Sequence, residues 1–274
     1  MNQMISPRAE IHPDAILGEN VVVEAFAKID KDVIIGKGTW IGANVTLYPG
    51  TRIGSNCKVF PGAVIAAEPQ DMKFMGEYST VEIGNFTTIR EYVTINRGTA
   101  SKGVTKVGNH CLLMAYTHLG HDVEVGNHCV IVNSVQIAGE VVIEDWAVIG
   151  GMSAVHQFCR IGQHAMVSGM TGVLSDVLPF TKVIGMPANY MGINYLGLKR
   201  RGFGKDKIDS IHDVYRVLYQ NGFNTTQAIE YIRMYLDPSE ETDQIITFIK
   251  NSKRGFVKGI ISDVSRNVAV NAEA

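Results

Sequence analysis

The stretch from Val107 to Val173 reads VGNHCLLMAYTHLGHDVEVGNHCVIVNSVQIAGEVVIEDWAVIGGMSAVHQFCRIGQHAMVSGMTGV. Every sixth residue in it is aliphatic, from Val107, Leu113 and Leu119 through Ile137 and Val155 to Val173. The same phase extends back through Ile95, Ile89 and Ile83 and then, beyond a break, from Ile65 to Ile5. Between Ile5 and Val173 only Asp71, Glu77 and Ser101 fail it. Four residues after each aliphatic the residue is small, as at Ala15, Thr39, Cys57, Ala147 and Ser153. A period of six fits neither a helix nor an alternating sheet. It marks hexads that each make one short strand and a turn, three to a triangular coil. The aliphatic fills the prism interior and the small residue fits the tight corner. Gly36, Gly42, Gly54, Gly84, Gly108, Gly126 and Gly162 follow the aliphatic, and this predicts turns of positive φ there. The expected class is an all-β prism plus α: a left-handed parallel β-helix over 1–190 and a C-terminal helical domain over 191–274.

Composition narrows the function. With 274 residues and a formal net charge of −2, the chain carries no global field that would draw nucleic acid or an anionic membrane. No apolar run is long enough to span a bilayer, and MNQMISPRAE lacks a signal-peptide core. A cytoplasmic protein is expected. Cys57, Cys111, Cys129 and Cys159 occupy the small-residue position, and no CxxC occurs. They are expected to be buried structural thiols.

Two interruptions break the prism, at Ala66–Glu82 and Arg97–Lys106. Both are expected to be loops thrown out from a stack that resumes unchanged, and loops on a rigid scaffold tend to carry function. After Pro187 the period becomes helical, with Ile208, Ile211, Val214, Tyr215, Leu218 and Tyr219 on one face and Asn221-Gly222 as the stop. Asn224-Thr225 opens a second helix carrying Ala228, Ile229, Ile232 and Leu236. Asp237-Pro238-Ser239-Glu240 predicts a capping box with Pro at the first helical position, opening a third helix through Ile245, Ile246, Phe248 and Ile249. The tail beyond Val264 is polar and small-residue rich, so fraying is expected there.

Histidine separates structure from chemistry. His110, His128 and His164 share one turn position and are expected to be solvated. His118, His121 and His156 leave the repeat pattern, and Asp122 follows His121 at once. A neutral imidazole is a natural general base near neutral pH, and a carboxylate partner fixes its tautomer. Adjacent strand residues point opposite ways, so pairing of His121 with Asp122 needs turn geometry. No nucleophile motif, P-loop or dinucleotide fingerprint accompanies them. A lone base suits direct transfer of an acyl group to a hydroxyl, with a backbone N–H stabilising the oxyanion, and Gly139 in QIAGEV offers such an amide. Lys199, Arg200, Arg201, Lys205 and Lys207 make the junction basic. It is either a solvated segment or a site for phosphate or an acidic partner.

The segments PQDMKF, TTIREYVTINRGT, KVGNHCLLMAYTHLGHD, GGMSAVHQF and GINYLGLKRRGF resemble the UDP-N-acetylglucosamine acyltransferase family over nearly the whole chain. The resemblance implies the first step of lipid A biosynthesis: an (R)-3-hydroxyacyl group passes from acyl carrier protein to the 3-hydroxyl of UDP-N-acetylglucosamine. It implies a homotrimer with sites between subunits, and neither a cofactor nor a metal. It assigns His121 as general base, Asp122 as its partner and Gly139 as the oxyanion amide. Asp71, Lys73, His118, His156, Gln157, Asn194, Arg200 and Arg201 become substrate contacts, and Gly169 the residue that sets acyl-chain length. Three positions depart from enterobacterial members: Asn96 and Glu140 replace histidines and Leu196 replaces an acid. That combination resembles members from the Bacteroidota.

Two other enzymes stand beside this one. The paralogous UDP-sugar N-acyltransferase carries an additional N-terminal domain, whereas here the hexads begin at Ile5. A γ-type carbonic anhydrase shares the trimeric β-helix and would use His118, His121 and His156 as zinc ligands, but the acyltransferase motifs and the long junction argue against it. A non-catalytic scaffold would not require His118 and His121 to leave the pattern.

Overall fold

The computed structural model describes residues 4–259, so the tail beyond Val264 lies outside the described residues. Leu112 pairs with Val130, and Val130 with Val148, both in parallel register. One coil therefore takes eighteen residues and lays its three strands on three different sheets. The hexad explains each face. In Leu112–Leu113 the first side chain points outward and Leu113 is fully buried in the prism. The small residue four positions on is buried too, as at Ala27, Thr39, Cys57, Cys111, Cys129, Ala147 and Cys159. The four cysteines are free and buried as expected, and burial raises the thiol pKa of Cys57, and of Cys159 to about 11.

The glycines do not do what the sequence led us to expect. The left-handed residue is the third after the aliphatic, as at Asn20, Phe26, Asn44, His110, Asp122, Trp146 and Met170. Gly36, Gly42, Gly54, Gly84, Gly108, Gly126 and Gly162 have ordinary φ and serve close approach between coils. A Cβ on Gly108 would lie 2.5 Å from the Gly126 carbonyl oxygen, and one on Gly36 2.5 Å from the Gly54 carbonyl carbon.

The three prism edges organise everything that follows. The first edge joins the sheet holding Leu112–Leu113 to the sheet holding His118–Leu119. The second joins that sheet to the one holding Glu124–Val125, and the third closes the triangle. Both interruptions leave the stack at the second edge, and both are shorter than expected. Strands Val64–Ala67, Thr80–Ile83 and Val104–Val107 extend into the polar segments, because parallel pairing continues to Ala67, Thr80 and Val104.

The prism ends in an antiparallel hairpin, Thr181–Ile184 with Asn189–Ile193, so residue 190 lies within a strand. Four helices follow: α1 (Tyr195–Arg200), α2 (Lys205–Gln220), α3 (Thr225–Tyr235) and α4 (Glu240–Lys250). Asn221 caps α2, and Asn224 and Gln227 form the capping box of α3. Leu236 is the C-cap of α3 rather than part of it. The expected N-cap of α4, Asp237, is displaced by two residues. Ser239 is the N-cap and accepts from the Thr242 N–H, so Pro238 precedes the cap instead of occupying the first turn. Ile208, Ile211, Tyr215, Ile232, Ile245 and Phe248 bury a second core with Leu178, Phe180 and Leu198. No described helix is long and apolar enough to cross a membrane.

Candidate active site

At the second edge, residues eighteen apart stack in columns: His121, Gly139 and Gln157 in one, Asp122, Glu140 and Phe158 in the next. Asp122 occupies the left-handed corner, φ 59°, which turns its side chain to the same side as its neighbour. His121 Nδ1 lies 2.8 Å from Asp122 Oδ2, the pairing that a flat strand forbids. An ionised carboxylate only accepts, so Nδ1 carries the proton and Nε2 is left as an acceptor. Asp122 is fully buried. The Thr99 N–H donates to both of its oxygens at 3.0 and 3.1 Å, and the Thr99 hydroxyl to Oδ2 at 2.6 Å.

Two clefts meet at His121. One, of about 440 Å³, is lined by Asp71, Lys73, Glu77, Ser101, Glu140 and Gln157 among others. The other, of about 410 Å³, runs along the adjoining sheet past Asn96, His118, Gln136, Gly139 and Ala154. Asp71 Oδ2 approaches His121 Nε2 to 3.9 Å. A Cβ on Gly139 would sit 2.4 Å from Nε2, so only glycine lets this backbone lie beside the base. The Gly139 N–H meets no acceptor among the described residues. His118 Nδ1 is 2.8 Å from Thr94 Oγ1, and burial lowers its pKa, which keeps the ring neutral. An imidazole held by a buried carboxylate, an unpaired amide beside it and an open cleft suit proton abstraction from a hydroxyl with oxyanion stabilisation. Among the described residues no three His, Cys, Asp or Glu side chains come together as metal ligands.

The other sequence-derived residues are scattered. His156 is exposed and bonds the Gln157 carbonyl (3.1 Å); it lines neither cleft. Asn194, Arg200 and Arg201 lie at the third edge. Asn194 caps α1 and donates to the His164 carbonyl at 2.9 Å. Arg201 donates to the Trp146 carbonyl at 2.8 Å and spans that indole, while Arg200 and Leu196 are exposed. Gly169 is on the first edge, 3.3 Å from the Gly151 carbonyl oxygen by its missing Cβ. His110, His128 and His164 are not simply solvated. They stack with Phe86, Trp146 and Phe180 in a column along the third edge. Burial, then the Arg201 charge, takes the His164 pKa down to about 4. Thr99, Ser101, Glu77 and Thr94 were missed as site residues. A signal existed for two of them: all three failures of the hexad phase, Asp71, Glu77 and Ser101, line the larger cleft.

The sequence from 176 to 257 matches the model of domain 2 of UDP-N-acetylglucosamine O-acyltransferase, and 32–67 and 105–139 match the bacterial transferase hexapeptide. An acyl-[acyl-carrier-protein]–UDP-N-acetylglucosamine O-acyltransferase of Alkalilimnicola ehrlichii is 40% identical over 255 residues, 93% of this chain and 99% of that protein. The chain belongs to the UDP-N-acetylglucosamine O-acyltransferase family. Among solved members, the Bacteroides fragilis enzyme superposes with a TM-score of 0.91 at 46% identity, covering 93% of this chain and 100% of that one. The Acinetobacter baumannii enzyme gives 0.90 at 36%, with the same coverage.

Within this O-acyltransferase, two of the departing residues have defined surroundings. Asn96 is buried, and its amide donates to the Glu68 carbonyl at 2.8 Å, tying the strand to the base of the first loop. Glu140 accepts from the Ser101 hydroxyl at 3.0 Å and so holds the second loop.

Proposed function

We propose that this chain transfers an (R)-3-hydroxyacyl group from acyl carrier protein to the 3-hydroxyl of UDP-N-acetylglucosamine, with His121 as general base. The observation that carries the mechanism is the Asp122–His121 pair with its Nε2 packed against Gly139. Nε2 accepts the proton of the acceptor hydroxyl as its oxygen attacks the thioester carbonyl. The resulting imidazolium is stabilised by Asp122, and Asp71 stands close enough to add to that. The Gly139 N–H donates to the oxyanion, which collapses with loss of the carrier thiolate. Lys73, His118 and Gln157 line the clefts where the sugar and acyl chain meet. Lys199, Arg200, Lys205 and Lys207 offer the basic surface that an acidic carrier protein needs.

We also read the active unit as a homotrimer in the cytoplasm. Asn194, Arg200 and Arg201 on the third edge and Gly169 on the first are separated by the packed prism core from His121 on the second, so one chain cannot bring them to one substrate. A neighbouring copy can. The first edge is fit for burial: Phe26, Tyr92, Tyr116, Met152 and Met170 are each more than half exposed there. His121→Ala should lower kcat by about 10²–10⁴-fold with the oligomer intact, and near-normal turnover would refute the base. If Gly169 sets chain length, Gly169→Met shifts the preference toward shorter 3-hydroxyacyl donors, each lost methylene contact being worth about 0.8 kcal/mol. An unchanged preference in a folded variant would dismiss that role.

A further inference from the structure

We propose that Thr99 is a positioning residue that sets the orientation and basicity of His121 through Asp122; this rests on the general-base role of His121 proposed above. A fully buried carboxylate must be satisfied by donors held in place. Apart from His121, every donor to the Asp122 carboxylate among the described residues comes from one loop, residues 97–103. The Thr99 N–H reaches both oxygens, the Lys102 N–H reaches Oδ1 at 3.3 Å, and the Thr99 hydroxyl reaches Oδ2 at 2.6 Å. That hydroxyl is the one side-chain donor besides His121 among the described residues, and it shares His121's own oxygen.

The loop is built so that this hydroxyl cannot drift. Glu77 in the first loop accepts the Ala100 N–H at 2.9 Å. Ser101 binds Glu140, and Lys102 Nζ binds Glu124 at 2.8 Å and the Asp122 carbonyl at 3.3 Å. Gly98 leaves no room for change, since a Cβ there would lie 2.2 Å from the Val104 nitrogen and 2.8 Å from Asp122 Oδ1. The corner itself is pinned by the Asp122 N–H, which donates to Thr105 Oγ1 at 2.9 Å.

The chemical consequence has a sign. A hydroxyl donating to Oδ2 withdraws negative charge from the oxygen that His121 Nδ1 meets. Without it, Oδ2 holds the imidazolium more tightly and the ring is freer to rotate. The charged groups around the pair are Asp71, Lys73, Glu77, Lys102, Glu124, Glu140 and the ring of His118, and none of them changes in a Thr99 variant.

The experiment compares wild type with Thr99→Val, Thr99→Ala and Thr99→Ser across pH, using UDP-N-acetylglucosamine and a 3-hydroxyacyl carrier protein. Loss of the hydroxyl should lower kcat about ten- to a hundredfold. The acid limb of kcat/KM should move to higher pH, while KM for the sugar nucleotide stays within about twofold. Thr99→Ser should restore rate and limb. If Thr99→Val does not fold, the Ala and Ser pair is read the same way. A rate loss with an unmoved limb, or one that Ser does not restore, marks scaffold damage and overturns the proposal. His121→Ala separates the two claims: turnover that survives it removes the base, whereas loss there with a normal Thr99→Val removes only the Thr99 role.

Discussion

The second and third edges of the prism are made from the same hexads, yet one carries the candidate chemistry and the other carries a column of rings. On the third edge Phe86, His110, His128, Trp146 and His164 repeat at the corner, each ring stacked on the next coil's. On the second edge the corner holds Asp122, Glu140 and Phe158, with His121 one place earlier and two loops thrown over it. Histidine is present on both edges. What differs is whether its partners come from the repeat itself or from outside it. An imidazole satisfied by its own stack is structural, whereas one paired to a buried carboxylate and open to a cleft is available to react.

Glycine to alanine tests that contrast most sharply. Gly139→Ala puts a methyl where His121 Nε2 now lies and displaces the ring, so kcat should fall about 10²-fold with the thermal midpoint unmoved. The third edge should answer in the opposite currency. A Cβ on Gly126 meets the Asp145 backbone nitrogen at 2.8 Å, so Gly126→Ala should cost about 1–3 kcal/mol of stability and leave turnover per folded molecule alone. If Gly139→Ala destabilised the fold and spared kcat, the division between edges would collapse.

The smallest effect concerns acid. The His164 pKa lies at about 4, below the ordinary 6.5, so the unfolded chain binds the proton first as pH falls. The stability contributed by the neutral ring is present above 6.5 and is lost progressively down to about 4. His164→Phe, which keeps the stack, should flatten part of the fall in thermal midpoint across that window. An identical slope in the two proteins would count against the stacked ring as the source.

Much of the architecture was legible because burial recurs with the period of the coil. Leu113, Ile131 and Ile149 have to repeat when one core runs the length of the prism. The places the sequence misled are those where backbone geometry decides. Glycine after the aliphatic was expected for its φ and is needed instead for its lack of volume. The hairpin Thr181–Ile184 with Asn189–Ile193 and the short helix α1 carry no hexad and too few residues for a helical period, so they went unseen. The His121–Asp122 bond was out of reach for the same reason, since sequence does not reveal which residue turns left-handed. Thr99 was hidden because a threonine in a polar loop looks like any other. The three hexad failures, Asp71, Glu77 and Ser101, were better signposts than the histidines around them, because nothing in the core could have chosen them.

The left-handed corner has one more implication. Asparagine, phenylalanine, aspartate, histidine, tyrosine, tryptophan, methionine and serine all occupy it, although a side chain there costs roughly 1–2 kcal/mol against the right-handed form. The stack imposes that conformation whatever residue is present, so swapping one non-glycine residue for another leaves the backbone term nearly constant. Each edge is thus a row of interchangeable sockets on a fixed frame. New chemistry could be installed at positions such as 122, 140 and 158 one coil at a time, with the neighbouring coils acting as the template.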